Sequence, residues 1–242
     1  MILLRSWIYT IVFLAFTLIA AIVCLPALFS SRWSLAAIRM WARGVMALAR
    51  TLVGISCRVE GREHLPAGAC IVAAQHQSSF ETYRLFIDLP DPVFVLKKEL
   101  LLVPFVGWYI RRSGLVPIDR GGHAAAMRKM LRAADAALAT GKQVVIFPEG
   151  TRTAPGARTP YRPGVAGLYA HCKAPLIPMA LNSGYLWGKT RILKQPGEIV
   201  FRFLPALPEG LSREAMLDEL RARIEAEAPS LAPPVAPTAE AR

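Results

Sequence analysis

The sequence has no C-x-x-C pair; its four cysteines, Cys24, Cys57, Cys70 and Cys172, lie far apart. That spacing argues against a zinc site and a disulfide framework and leaves reduced thiols as the simple reading. No G-x-S-x-G string occurs, so the nucleophile elbow of a serine lipase or esterase is missing. No repeat of fixed period is present either, which removes solenoids and propellers. Charge is scarce: 19% of residues are charged against 54% hydrophobic. This is more apolar than an ordinary soluble domain, so part of the surface is expected to meet lipid. Acidic residues are the scarcer sign, 17 against 29 lysines and arginines, giving a net charge of +12. A basic surface attracts anionic headgroups, nucleic acid or acidic carrier proteins. With no zinc-finger pattern and no basic ribbon interleaved with aromatics, nucleic acid is not an expected partner.

No charged residue occurs from Ser6 to Ser31, and Trp7 to Leu25 is almost wholly apolar. That is about the length of a helix that crosses a bilayer. A cleaved signal peptide fits less well, since its apolar core is shorter and ends at a small-x-small site. From Arg32 to Gly54, arginines alternate with apolar residues, and at helical spacing Arg32, Arg39, Arg43 and Arg50 share one narrow stripe. Trp33, Leu35, Ile38, Trp41, Val45, Leu48 and Leu52 occupy much of the rest. Such a helix can lie in the membrane interface with its arginines at lipid phosphates, holding that end on the cytoplasmic side of the inner membrane. A core-packing helix with a solvated face and a transmembrane hairpin are the other readings.

Beyond residue 55, short apolar runs alternate with turn signals and helical stretches, the pattern of an α/β domain. A mixed, mostly parallel sheet flanked by helices is expected, with strands at Cys70–Ala74, Val93–Leu96, Leu115–Ile118, Gln143–Phe147, Leu176–Leu181 and Ile199–Phe203. An amphipathic helix over Ala124–Thr140 stops at Gly141, and a last helix starts near Ser212, a plausible N-cap. The chain thus divides into N-terminal membrane-associated helices over 1–54, one globular domain over 55–228, and a Pro- and Ala-rich tail over 229–242 expected to be disordered.

His76 follows the apolar run Ile71-Val72-Ala73-Ala74, at the end of a strand, where ligands bind in α/β sheets. Glu81 lies five residues on. Five residues of straight helix turn about 500°, a net of about 140°, so the two side chains meet only if His76 precedes a helix and Glu81 lies in its first turn. Gln77, Ser78 and Ser79 can cap that helix. The carboxylate then accepts one imidazole N–H and fixes the tautomer, which leaves the second nitrogen as a general base for a hydroxyl. On spacing alone, a structurally hydrogen-bonded histidine is the competing account.

A second cluster, Phe147-Pro148-Glu149-Gly150-Thr151-Arg152, follows the strand Val144-Val145-Ile146. Gly150 permits close backbone approach, and a guanidinium suits a phosphate monoester. The plain alternative is a turn closed by a surface ion pair between Glu149 and Arg152. Lys97, Lys98, Arg120, Arg158 and Arg162 also follow strand ends or loops, each separately readable as a solvated charge.

Together these segments resemble the glycerolipid acyltransferase family, whose bacterial members include 1-acyl-sn-glycerol-3-phosphate acyltransferases. The family's histidine, four residues and acid are matched by His76 and Glu81. A looser second block looks like Lys97, Pro104, Gly107 and Arg120, the third is matched by Phe147 to Arg152, and the fourth resembles Ile177-Pro178-Met179. The resemblance spans about Cys57 to Asn182 in the family's order. Glu81 stands where the family usually has aspartate, and Gln75 where asparagine often precedes the histidine. The resemblance implies acyl transfer from acyl-CoA or acyl carrier protein to the sn-2 hydroxyl of 1-acyl-sn-glycerol-3-phosphate, with no cofactor and no metal. Lyso-ornithine lipid is an alternative acceptor, and a non-catalytic lipid-binding protein an alternative class. The implied catalytic pair is His76 and Glu81; Glu149, Gly150, Thr151, Arg152, Lys97 and Arg120 are the implied substrate-binding residues.

Overall fold

The computed structural model of the protein describes residues 1–119, 123–188 and 192–232. Seven strands form one sheet: β1 (Ile55–Glu60), β2 (Cys70–Ala74), β3 (Pro92–Lys97), β4 (Val116–Ile118), β5 (Gln143–Ile146), β6 (Leu176–Leu181) and β7 (Gly197–Phe203). Their order is β1-β7-β6-β2-β5-β3-β4, and every neighbouring pair is parallel except β6 with β7. The mixed, mostly parallel sheet is therefore present. β2, β5 and β6 are buried at every position, as strands covered on both faces must be.

Alternate residues of these strands feed two cores. Val72, Ala74, Val145, Ile177 and Met179 point toward helices α2 (Ser31–Leu48), α3 (Phe80–Asp88) and α4 (Val106–Arg112). Ile71, Ala73, Val144, Ile146 and Ala180 point toward α5 (His123–Leu138), α6 (Pro163–His171) and α8 (Arg213–Leu231). The short α7 (Ser183–Leu186) follows β6 directly. β1 was not among the expected strands. It is an edge strand whose alternate residues stay exposed, so it lacks the continuous apolar run that marks the central strands.

The N-terminal helix α1 (Ile2–Val23) docks on the domain by one stripe. Ser6 Oγ accepts from Lys194 N at 2.9 Å, and Tyr9 meets the Trp187 ring edge-on at 5.3 Å. Phe13 stacks 6.2 Å from Tyr83, Trp41 Nε1 donates to Thr17 Oγ1 at 3.1 Å, and Tyr109 OH donates to Ala21 O at 3.0 Å. The opposite face, with Leu4, Ile11, Leu14, Leu18 and Ile22, is exposed. Among the described residues α1 is the one helix long and apolar enough to cross a membrane.

Two readings of the N-terminal half need correction. The apolar side of α2 and of the turn Ala49–Val53 that continues it packs inward: Ala42, Val45, Ala49 and Val53 are buried, and Leu35, Ile38, Trp41, Leu48 and Leu52 lie against the core. Only Trp33 of the residues expected in the interface is exposed, so α2 is the core-packing helix. Of its arginine stripe, Arg32, Arg43 and Arg50 are exposed, whereas Arg39 donates to the carbonyls of Phe86, Leu89 and Pro90 and caps the end of α3. The carbonyls at and just beyond the end of α3 thus take up that guanidinium.

The last helix begins as expected, with Ser212 Oγ accepting from Ala215 N at 3.2 Å. It does not stop before Pro229. It continues to Leu231 because Leu231 is buried, Asn182 Nδ2 donates to Leu231 O at 2.9 Å, and Arg202 Nη1 donates to Ser230 Oγ at 2.7 Å. The rest of the expected tail, 233–242, lies outside the described residues.

Candidate active site

β2 is the central strand of the sheet, and the chain leaves it at Gln75. Gln75 N donates to Met179 O at 3.0 Å, and its Oε1 accepts from Leu181 N at 3.1 Å. Gln77 Nε2 donates to Leu181 O at 3.0 Å, and its Oε1 accepts from Gly184 N at 2.9 Å. Both neighbours of His76 are thereby clamped to the end of β6 and the start of α7, and Thr153 N donates to His76 O at 2.8 Å. The imidazole has little freedom. It stacks on Phe147, centroids 4.0 Å apart and 16° between planes, and its Nδ1 lies 2.9 Å from Glu81 Oε1.

Glu81 is fully buried in the first turn of α3. Besides the imidazole, Oε1 accepts from Gln77 N and Ser78 N, both at 2.7 Å. Oε2 accepts from Ser78 Oγ at 2.7 Å and Ser183 Oγ at 2.8 Å. With a carboxylate, which can only accept, as its partner, Nδ1 carries the proton and the lone pair is left on Nε2. Nε2 has no hydrogen-bond partner among the described residues. The geometry required by the five-residue spacing is present, with one change. Ser79 is the N-cap but makes no side-chain cap bond; Ser78 Oγ accepts from Phe80 N instead. Ser183 lies more than a hundred residues from Glu81 in sequence and bears no motif signal, so only the topology that sets the end of β6 beside β2 brings it in.

The second cluster leaves β5, the strand beside β2. Gly150 takes φ 65°, and a Cβ there would lie 2.9 Å from Arg162 Cγ. Thr151 is exposed. The positive charge of Arg152 is felt at Tyr83 of α3, two residues beyond Glu81, and Arg152 makes no ion pair or hydrogen bond among the described residues. Glu149 turns the other way. Only 6% exposed, it lines a cavity of about 370 Å³ under α8 together with Gln75, Gln77, Tyr161 and Arg221. Its Oε2 has no partner, and burial raises its pKa to about 7, against the backbone N–H groups of Glu149 and His76, which lower it. The plain alternative for this turn, a surface ion pair between Glu149 and Arg152, is not present among the described residues.

Lys97 ends β3 on the same sheet edge but stands 3.5 Å from Glu99, exposed, with no contact to His76 or Arg152 among the described residues. Lys98 pairs with Asp119 and Arg158 with Glu225. Arg120 lies outside the described residues. No three His, Cys, Asp or Glu side chains among the described residues come together as metal ligands.

The model of the acyltransferase family matches residues 56–182, which include His76, Glu81 and the turn from Phe147 to Arg152. The chain belongs to the acyltransferase family. An acyltransferase of Pseudomonas aeruginosa named 1-acyl-sn-glycerol-3-phosphate acyltransferase is 34% identical over 189 residues, 78% of this chain and 74% of that protein. The mouse 1-acyl-sn-glycerol-3-phosphate acyltransferase alpha is 32% identical over 181 residues, 72% of this chain and 64% of the mouse protein. In fold, the acyltransferase superposes on the crystal structure of 1-acyl-sn-glycerophosphate acyltransferase, PlsC, from Thermotoga maritima. The TM-score is 0.77 at 21% identity, over 96% of this chain and 99% of that one.

Two outcomes are expected. Ser183→Ala removes one donor from a buried carboxylate and lowers kcat about tenfold, with the acceptor KM little changed, in steady-state assays. For Glu149, the native carboxyl binds its proton more tightly than the unfolded chain does, so its ionisation adds no cost below about pH 4.5. The cost then grows to roughly 3 kcal/mol as pH rises to about 7. Glu149→Gln is uncharged throughout, so the variant's Tm rises relative to the parent between those pH values and levels off above them, as read by thermal melts in detergent.

Proposed function

We propose that the protein transfers a fatty acyl group from acyl-CoA or acyl carrier protein to the sn-2 hydroxyl of 1-acyl-sn-glycerol-3-phosphate, producing phosphatidic acid. The observation that carries this reading is a histidine whose Nδ1 is tied to a buried carboxylate while Nε2 is open at the sheet edge. Nε2 takes the proton of the acceptor hydroxyl as that oxygen attacks the thioester carbonyl. The tetrahedral adduct collapses, the C–S bond breaks, and the departing thiolate recovers the proton from His76. Glu81 holds the ring in one tautomer throughout and balances the imidazolium. No acyl-enzyme forms and no cofactor takes part.

Arg152 supplies the anchor for the acceptor's phosphate monoester, since its five donors are uncommitted to protein. It delivers the hydroxyl to the base, an advantage of position. Gly150 and Thr151 shape the turn that carries it; Lys97 contributes positive charge from two strands away.

The protein associates with membranes through α1. Both ends of α1 touch the same domain, at Lys194 and at Tyr109, so the helix lies along the domain within one leaflet rather than carrying the chain across. The domain sits on the cytoplasmic face of the inner membrane, where the acyl donors are dissolved and the acceptor is drawn from the lipid.

His76→Ala is expected to lower turnover by about 10³-fold in an assay of labelled acyl thioester with lysophosphatidate, and retained activity would sink the mechanism. Arg152→Ala is expected to raise the lysophosphatidate KM about tenfold; an unchanged KM removes its phosphate role. A panel that adds lysophosphatidylcholine and lyso-ornithine lipid decides the acceptor, and a preference for either over lysophosphatidate overturns the assignment.

A further inference from the structure

The catalytic domain carries an apolar projection of its own, separate from α1. After β3, the 3-10 turn Lys98–Leu102 leads into α4, and Leu100, Leu102, Val103, Val106 and Trp108 are exposed, Leu102 by 78%. The projection is firmly built. Val106 N donates to Pro104 O at 2.7 Å around Phe105, which sits at φ 61° and ψ −56°, a γ-turn. Phe105 packs against the Trp108 ring at 5.1 Å. Gly107 fits so closely that a Cβ would lie 2.1 Å from Leu101 O. A segment held by these contacts that turns five large apolar side chains to the outside marks an interaction surface.

Its neighbours and its charge identify the partner. Tyr109 and Arg112 of α4 bond to Ala21 O and Phe29 O, at 3.0 and 2.5 Å, so the projection abuts the end of α1 and the exposed Phe29. A protein seated there would have to share the lipid that α1 occupies. Between the segment Leu25–Phe29 and α4 lies an open depression of about 380 Å³ lined by Leu28, Trp108, Arg111 and Arg112. Arg111 donates to Leu101 O at 3.4 Å, and neither arginine has a carboxylate partner among the described residues. A tryptophan beside two cations without counter-charges, above an apolar tip, is the pattern of a lipid headgroup contact.

We propose that this projection is a second membrane contact: Leu102, Val103 and Val106 enter the acyl region of the leaflet that holds α1, while Arg111 and Arg112 bind the phosphate of an anionic phospholipid next to Trp108. The projection extends the lipid contact beyond the end of α1 onto the catalytic domain itself, which fixes the domain's tilt. Because α4 follows β3, whose end shares the sheet edge with His76, the tilt turns that edge toward the lipid. The contact does not depend on which lysolipid is the acceptor.

The test uses the full chain reconstituted in vesicles of equal phosphatidylcholine and phosphatidylglycerol, with brominated acyl chains on one lipid or the other. Trp108 emission is isolated as the difference between the parent and Trp108→Phe, a change that keeps a ring against Phe105. The expected result is quenching of that component, about twofold stronger when the bromine is on phosphatidylglycerol. Arg111→Gln with Arg112→Gln should keep the quenching and abolish the difference between labels. Leu102→Asp, at a side chain that is mostly exposed, should weaken quenching by both labels. Emission unquenched by either label, or quenching indifferent to Leu102→Asp, overturns insertion; equal quenching by both labels in the parent overturns the headgroup site.

Discussion

A carboxylate with no access to water must be surrounded by donors or it is too costly to keep, and Glu81 is such a group. Its two oxygens take donors from His76, Gln77, Ser78 and Ser183. Those donors come from the loop after β2 and from the start of α7, while the acid itself rides on α3. Satisfying one buried charge therefore joins three chain segments and fixes the histidine between them. Gln75 and Gln77 extend the clamp by pairing with the backbone at the end of β6. The longer side chain that replaces the family's usual aspartate is absorbed by this network, with Oε2 meeting both serine hydroxyls.

Much of this was legible in the amino-acid order. β2 and β6 fall on the expected residues because fully buried strands read as unbroken apolar runs. The relation of His76 to Glu81 followed from helical geometry, since only one placement lets residues five apart meet. What was hidden is what tertiary structure alone decides. Leu35, Ile38 and Trp41 look the same in sequence whether they face lipid or protein. The cap that Arg39 places on α3 joins positions nearly fifty residues apart. Pro229 reads as a stop, yet burial of Leu231 and the bond from Asn182 carry the helix past it.

The turn after β5 separates two chemistries by one helical-sized step of chain. The charge of Arg152 is felt at Tyr83 of α3, whereas Glu149 lines the cavity under α8. An acid and a base that close in sequence ordinarily neutralise each other. Unpaired with each other, the guanidinium stays available to an anion, and the carboxyl lies against the backbone that carries His76.

The stripe by which α1 docks sets Ser6 and Thr17 beside the rings of Tyr9 and Phe13, while its outer face is leucine and isoleucine. The helix is thus inside-out, more polar toward protein than toward its surroundings. The side chains of α1 that expose apolar surface are therefore not the ones that hold it to the domain, and the two sets can be altered independently of each other.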